Sequence, residues 1–408
     1  MFKVVYSIVI YFSLIYTIYY VILAAFAFLK TKNETKNGKI NYFAILIAAR
    51  NEEKVIKELI DSLKNQNYDK SKYEIDVIIN NCTDSTREIA INNKVNVIDC
   101  TSKVTCKADA LRIAFKELKS KKKIDAYIIF DADNVVHPDF LLNMNKSVNN
   151  GFRIAQGHRE TKNLGKSWIS SSYAIYFYLQ NYMISRSRKH LGLSAAINGT
   201  GFMVKKDLID EIGFNTKTLT EDIEFSAICA LNRVKIDYVE DAITYDEQPE
   251  SFMTSWHQRM RWTKGSLSCL RIYGIKLIKN FFKTRTITNL DMLFVFFSPI
   301  VQVVTFLVIL IDILIKIFNM GFVPFINGYI LSNYISLIIS YLITLILSSF
   351  VVLYNKHSLK EALNGIILFM LFIASWIPIN IICLFKRKIE WKHIEHNANI
   401  SINDVIKK

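Results

Sequence analysis

The pentapeptide Phe130–Asn134, FDADN, sets Asp131 and Asp133 one residue apart, immediately after an apolar run. Alternate residues of an extended segment share a direction, and two carboxylates so placed repel unless a cation lies between or beside them. A hard divalent ion takes few protein carboxylates and completes its shell with phosphate oxygens. The spacing therefore suits a nucleoside diphosphate held with Mg²⁺ or Mn²⁺, although two solvated loop acids would read the same. In LTEDIEF, Glu221 and Asp222 follow Thr220, a candidate N-cap; acids are favoured in a first helical turn, so plain capping also accounts for them. Lys107 of KADAL opens an expected helix, where it would meet a phosphate or remain solvated. Asn198, Gly199, Thr200 and Gly201 form a loop whose glycines permit either close backbone approach to a ligand or a turn. In HQRMRWTKG, Gln258 and Arg261 stand three apart and share a helix face. Arg261 offers a bidentate fork for phosphate and Trp262 a flat face for a sugar ring, while both residue types are also common beside membranes.

These residues need a scaffold, and the pattern between residues 40 and 265 supplies one. YFAILIAARNEE, YEIDVIINNCTDS and IDAYIIFDADN are short apolar runs that end in polar loops, and segments of helical periodicity alternate with them. One such segment carries Val55, Ile56, Leu59, Ile60 and Leu63 on a single face. Alternating strands and helices predict a mostly parallel sheet covered on both faces, with ligands at the carboxyl ends of the strands, where the three polar loops fall.

The flanks are different. Tyr6 to Leu29, Leu293 to Ile315, Phe322 to Tyr354 and Gly365 to Phe385 are nearly free of charge and long enough to span a hydrocarbon core of about 30 Å. The net charge of +15, from 51 basic and 36 acidic residues, is scattered, with clusters beside those segments at Lys30 to Lys39, Lys276 to Arg285 and Lys386 to Lys392. That distribution fits the cytosolic side of a membrane, and no basic reading element for nucleic acid emerges. The six cysteines show no zinc spacing and read as reduced thiols. The expected layout is an amino-terminal anchor and basic linker (1–39), a cytosolic catalytic domain (40–270), an amphipathic interfacial segment (271–289), a carboxy-terminal membrane region (290–385) and a basic tail (386–408). Trp376, Pro378 and Asn380 in the last apolar segment, and the basic residues after it, favour an incomplete crossing and a cytosolic tail.

Taken in order, A-R-N-E, N-x-x-D, D-A-D, T-E-D and Q-R-M-R-W across one α/β block flanked by membrane segments resemble the family 2 glycosyltransferases, the inverting membrane enzymes that include cellulose, chitin, hyaluronan and poly-N-acetylglucosamine synthases. The resemblance covers about residues 40 to 270. It implies an α/β GT-A (nucleotide-diphospho-sugar transferase) fold with transmembrane helices at both ends, a nucleotide-sugar donor, a divalent metal, and a plasma-membrane location with the catalytic domain cytosolic. By position, Ala49, Arg50, Asn51 and Glu52, with Asn81 and Asp84, would hold the nucleoside; the family usually has aspartate where Asn81 stands and proline where Ala48 stands. Lys107 would reach the diphosphate, Asp131 would lie near ribose and phosphates, and Asp133, with Asp131, would hold the metal. Asp222 would be the base, beside Glu221. Glu221, Gln258, Arg259, Arg261 and Trp262 would form a lid over diphosphate and acceptor, and Asn198 to Gly201 an acceptor-side loop.

Three functions compete at this point. The leading expectation, favoured by Q-x-x-R-W, is a processive synthase of a beta-linked exopolysaccharide; the alternative, suited by the small number of carboxy-terminal segments, is single addition to a lipid-linked acceptor or glycolipid. A non-enzymatic membrane scaffold or transporter fits poorly, because a transporter's acids lie within its spans and these lie in strand-end loops.

Overall fold

The computed structural model describes residues 2–29, 38–100, 104–325, 328, 331–386, 389 and 395–406. Most of the basic linker and of the basic cluster after Lys386 lies outside them. In chain order the strands are β1 (Phe43–Ala49), β2 (Tyr73–Ile79), β3 (Asn96–Asp99), β4 (Ala126–Asp131), β5 (Val135–Val136), β6 (Ile154–Thr161), β7 (Phe202–Lys205) and β8 (Asp237–Asp246). They form one sheet in the order β3-β2-β1-β4-β7-β6-β8-β5. β3, β2, β1 and β4 run parallel. β7 is antiparallel to β4 and to β6, and β5 antiparallel to β8, so the sheet is mixed.

The apolar runs are strands buried on both faces. In β1, Ala44 and Leu46 enter one core layer, while Phe43, Ile45, Ile47 and Ala49 enter the other, which is the two-residue alternation of a strand. After α1 (Phe2–Ala25) come α2 (Ile56–Lys64), α3 (Thr86–Asn92), α4 (Lys107–Leu118) and α5 (Phe140–Asn149), then α6 (Trp168–Leu179), α7 (Ser187–His190), α8 (Lys206–Ile212) and α9 (Glu221–Leu231). The five apolar residues expected on one face around α2 are all buried. All six cysteines are free thiols.

α10 (Phe252–Thr284) is a single 33-residue helix. It carries both the Gln258–Trp262 stretch and the basic segment expected as a separate interfacial element, so the boundary placed at residue 270 falls inside it. α11 (Ile287–Met320), α12 (Phe322–Phe325), α13 (Leu331–Tyr354), α14 (Leu359–Ala374), α15 (Trp376–Phe385) and α16 (Ile402–Ile406) follow. Among the described residues four stretches are long and apolar enough to cross a membrane: Val4–Phe28, Ile287–Met320, Tyr334–Tyr354 and Leu359–Phe385.

The last of these is interrupted at Ser375, between α14 and α15. Pro378 explains the interruption: its ring conflicts with the carbonyl four residues earlier, at Ala374. Both ends of the pair meet the α/β domain. Near its start Glu361 packs on Gly165, and at its end Lys264 donates to the carbonyls of Cys383 at 3.2 Å and Lys386 at 2.5 Å. Along its length Gly365 lies so close to α6 that a Cβ would come within 2.4 Å of Ser171.

Candidate active site

Register puts three loops at one edge. Ala48 lies opposite Asp131, and Ala49 opposite Ile79, so the polar loops after β1, β2 and β4 leave the sheet side by side. They border a cavity of about 220 Å³. Ala49, Arg50, Glu52 and Asn80 line one side, and Lys107, Asp131 and Asp133 line its floor. Lys107 is the first residue of α4, and its Nζ donates to Asp131 Oδ1 at 2.5 Å and to the Gly199 carbonyl at 2.7 Å. Burial opposes its charge, but Asp131 and Glu221 outweigh that and raise its pKa.

Asp133 is buried and accepts from the Glu247 backbone N–H at 3.1 Å. Burial works against its ionisation. The charges of His396 and Lys162 prevail and hold its carboxyl below the ordinary range. His396 comes from the tail and contacts Glu52 at 3.0 Å; burial disfavours its charge, yet Asp133 and Glu52 push its pKa up to about 9. Among the described residues no three His, Cys, Asp or Glu side chains gather as a complete metal cage. Asp131 and Asp133 on one cavity floor fit an ion that borrows its remaining oxygens from substrate phosphate and water.

A second cavity, of about 610 Å³, lies toward the apolar helices. Its walls include Tyr16 and Tyr20 of α1, Tyr176 of α6, Ser298 of α11 and Trp376 of α15. Asp222 borders both cavities, together with Thr220, Asn198, Arg159 and Trp262. Burial raises the Asp222 carboxyl above the usual aspartate range. Glu221 is raised further, to about 7, by burial and then by the charge of Asp222. Trp262 stands at the junction, stacked with Trp376 at a centroid distance of 6.4 Å and 24°.

A strand-end phosphate-type floor, a carboxylate on a wall shared with a second cavity, and membrane-type helices at both ends can be set beside known proteins. The family model described as "Glycosyltransferase like family 2" matches residues 41–265, more than half the chain. The chain belongs to glycosyltransferase family 2. Over 265 residues this glycosyltransferase is 26% identical to a probable glycosyltransferase of Bacillus subtilis, YdaM, covering 62% of this chain and 61% of that one. It is 25% identical over 255 residues to a beta-monoglucosyldiacylglycerol synthase of Nostoc, covering 61% and 54%. To a poly-beta-1,6-N-acetyl-D-glucosamine synthase of Staphylococcus aureus it is 24% identical over 288 residues, covering 69% and 66%. These matches span about two thirds or less of each relative's length. Among solved structures, the mannosyltransferase PcManGT of Pyrobaculum calidifontis, in complex with GDP-mannose and Mn²⁺, superposes with a TM-score of 0.66 at 13% identity, covering 95% of this chain and all of that one. The likeness establishes a shared GT-A fold.

Several residues of this family 2 glycosyltransferase singled out from sequence lie elsewhere than expected. Gln258 and Arg261 do line the first cavity. Arg259 does not join them. It is fully buried between α10 and α14, where it donates to the Phe372 carbonyl at 3.1 Å and Ser375 Oγ at 2.7 Å; it secures the interrupted helix, and burial lowers its pKa. Asn51 and Asn81 both adopt positive φ and do not border the cavity; Asn51 accepts from the Thr83 N–H at 2.8 Å, and the neighbouring Asn80 faces the cavity instead. Asp84 holds the start of α3 through Thr86 and the loop through the Glu53 N–H. Thr200 is buried against Asn134 and the Asp131 N–H, and Gly201 packs on Thr244, so of the glycine loop only Asn198 and Gly199 reach the cavity. Thr220 occupies the N-cap position of α9, but its hydroxyl makes no capping bond.

Sequence reasoning missed Arg159, Asp246, Glu247 and His396, all of which border the first cavity. Arg159 Nε donates to Asp246 at 2.7 Å; burial raises Asp246 to about 6 even so. Arg159 sits in β6 and Asp246 ends β8, so only the register of those two parallel strands brings them together.

Proposed function

We propose that this family 2 glycosyltransferase inverts configuration as it moves a sugar from a nucleotide-sugar, a uridine diphosphate donor in the first instance, to an acceptor hydroxyl presented at the membrane face. One observation carries the reading: Asp222 stands on the wall common to the two cavities. The donor occupies the smaller cavity, with its diphosphate toward Lys107, Arg261 and the Asp131–Asp133 floor. The acceptor occupies the larger. Asp222 takes the acceptor hydroxyl proton as that oxygen bonds to the anomeric carbon; the bond from that carbon to the diphosphate oxygen breaks, and the nucleoside diphosphate leaves with its electron pair. General-base help of this kind contributes about 10²- to 10⁴-fold. Lys107 and Arg261 stabilise the leaving charge. A divalent ion at Asp131 and Asp133 would supply further neutralisation of the diphosphate, and the GDP-mannose and Mn²⁺ bound by PcManGT support that assignment.

The catalytic domain is assigned to the cytosol, with α14 and α15 lying along the interface and the tail on the same side. The contacts of both ends of that pair with the α/β domain, and of His396 with Glu52, support this arrangement. Single addition to a membrane-anchored acceptor suits a second cavity bordered by α1, α11 and α14. Processive extension of a saccharide is the second reading, and the Trp262–Trp376 stack, a platform for sugar faces, favours it. A radiolabelled donor separates the two, since one adds a single sugar and the other yields a ladder.

The test of the core reading is Asp222→Asn. The amide keeps shape but cannot take the proton, so donor affinity should hold while transfer falls by about 10² or more. Near-normal transfer by this variant would place the base elsewhere.

A further inference from the structure

α10 changes character along its length. Its first half brings Gln258, Arg261 and Trp262 to the donor cavity. In its last turns Tyr273, Gly274 and Leu277 are buried, and Tyr273 and Leu277 pack with Met292, Leu293 and Phe296 of α11. At about 100° per residue, Ile275, Ile278 and Phe282 fall within about 60° of one another, on a side that α11 does not cover. Ile275 is 69% exposed and Phe282 64%. Lys276, Lys279 and Lys283 make a second exposed row, about 100° further round the helix. Arg271 stands in line with the apolar stripe, one turn before Ile275, and the Arg285 guanidinium lies 5.9 Å from the centre of the Phe282 ring.

No acidic residue stands between Glu250 and Asp291, and Asp291 is buried and paired with Arg188 at 2.8 Å. A helix carboxyl end favours cations in its last turn. That accounts for Lys283 but not for Arg271, Lys276 or Lys279. α11 begins two residues after Arg285, and its Ile287–Met320 stretch is long and apolar enough to cross a membrane. Because the last turns of α10 pack along the first turns of α11, the exposed stripe lies at the level where that span would meet lipid headgroups. Apolar side chains beside a row of lysines suit such a level: the stripe enters the acyl boundary and the lysines reach up to phosphate. Basic clusters of this size on an amphipathic helix next to a span are drawn to anionic lipid. An acidic protein surface would answer the lysines but not Ile275 and Phe282, and an uncharged bilayer would do the reverse.

We propose that the last turns of α10 seat the enzyme on anionic phospholipid, with Ile275, Ile278 and Phe282 in the bilayer and Lys276, Lys279 and Lys283 on its phosphates. α10 is one unbroken helix, so Arg261 and Lys279 stand about 27 Å apart on a single rod. The seat at one end therefore holds the donor-side residues at the other, and the charge of the leaflet regulates transfer. That consequence rests on the reading of Arg261 and Trp262 as donor and acceptor contacts. The lipid contact itself does not.

The probe is phosphatidylglycerol, a minority component of phosphatidylcholine nanodiscs that hold the full chain. Phe282 is replaced by p-benzoylphenylalanine and photolysed. The captured lipid should be enriched in phosphatidylglycerol over the bulk ratio by about threefold or more at low salt, and the enrichment should shrink at high salt. The same photoprobe in place of Ile278 repeats the measurement, in case the first variant folds poorly. Lys276→Gln, Lys279→Gln and Lys283→Gln together should return the captured lipid to the bulk ratio without lowering the total captured. In the parent, transfer should rise with phosphatidylglycerol, and in the triple variant that rise should vanish. Capture at the bulk ratio by both probes, or capture of protein in place of lipid, would overturn the proposal. Enrichment with transfer indifferent to phosphatidylglycerol would overturn the coupling to the donor side. Failure of the underlying transfer reading looks different: an Asp222→Asn variant with normal transfer would sink the base assignment and leave the captured lipid unchanged.

Discussion

Gly265 on α10 packs directly against Thr220 at the start of α9: a Cβ at Gly265 would fall 2.0 Å from Thr220 Oγ1 and 2.4 Å from its Cγ2. The contact sets the distance between the helix carrying Gln258, Arg261 and Trp262 and the turn carrying Glu221 and Asp222. Gly265→Ala should therefore push the two apart. The expected result is a folded protein with transfer reduced by about tenfold or more, because displacements of about 1 Å at reacting groups are costly. Transfer per folded molecule is the measurement, and an unchanged value would show that Thr220 simply yields.

Glu221→Gln should alter the pH response. The Glu221 pKa is raised from an ordinary 4.5 to about 7, by burial and then by Asp222. A raised carboxyl binds its proton more tightly in the folded state, so its contribution to stability is present at low pH and is lost as pH rises from about 4.5 through about 7. The glutamine has nothing to lose. The melting temperature of the variant relative to the parent should be higher at pH 8 than at pH 5. Parallel melting curves would count against a raised Glu221 carboxyl.

Neighbouring arginines should answer differently. Arg261→Lys keeps the charge on the donor cavity but loses the planar fork, and transfer should drop by about tenfold, equivalent to about 1.4 kcal/mol of barrier. Arg259→Gln removes bonds to Phe372 and Ser375; the melting temperature should fall while the donor KM of the remaining folded protein holds. A normal transfer rate in Arg261→Lys would make that residue an anchor rather than a clamp.

Chelation by EDTA should abolish transfer, and added Mg²⁺ or Mn²⁺ should restore it. Full activity in chelator would remove Asp131 and Asp133 from their assigned role.

How legible the site was in sequence follows from the range of each interaction. Asp131 and Asp133, Glu221 and Asp222, and Gln258 with Arg261 are close in sequence, and strand alternation or helical spacing alone gives them a common direction. The strand–loop pattern gave the parallel half of the sheet, since a strand buried on both faces shows as a continuous apolar run. Arg259 came into the lid only through the family resemblance, and the structure buries it against α14 instead. One residue along a helix is a turn of about 100°, and which face meets the cavity and which meets α14 depends on a helix more than a hundred residues away.

By itself, then, the chain's sequence determined the strand-end loops, the acids they carry, the arginine–tryptophan face and the apolar segments at both ends, because each depends on neighbours a few residues apart. Only the tertiary structure decided that Arg159 meets Asp246, that His396 returns to Glu52, that Arg259 reaches Ser375, and that Asp222 borders two cavities. Those relations join residues 87 to 344 positions apart. Strand register and helix packing create them, and no local periodicity encodes either one.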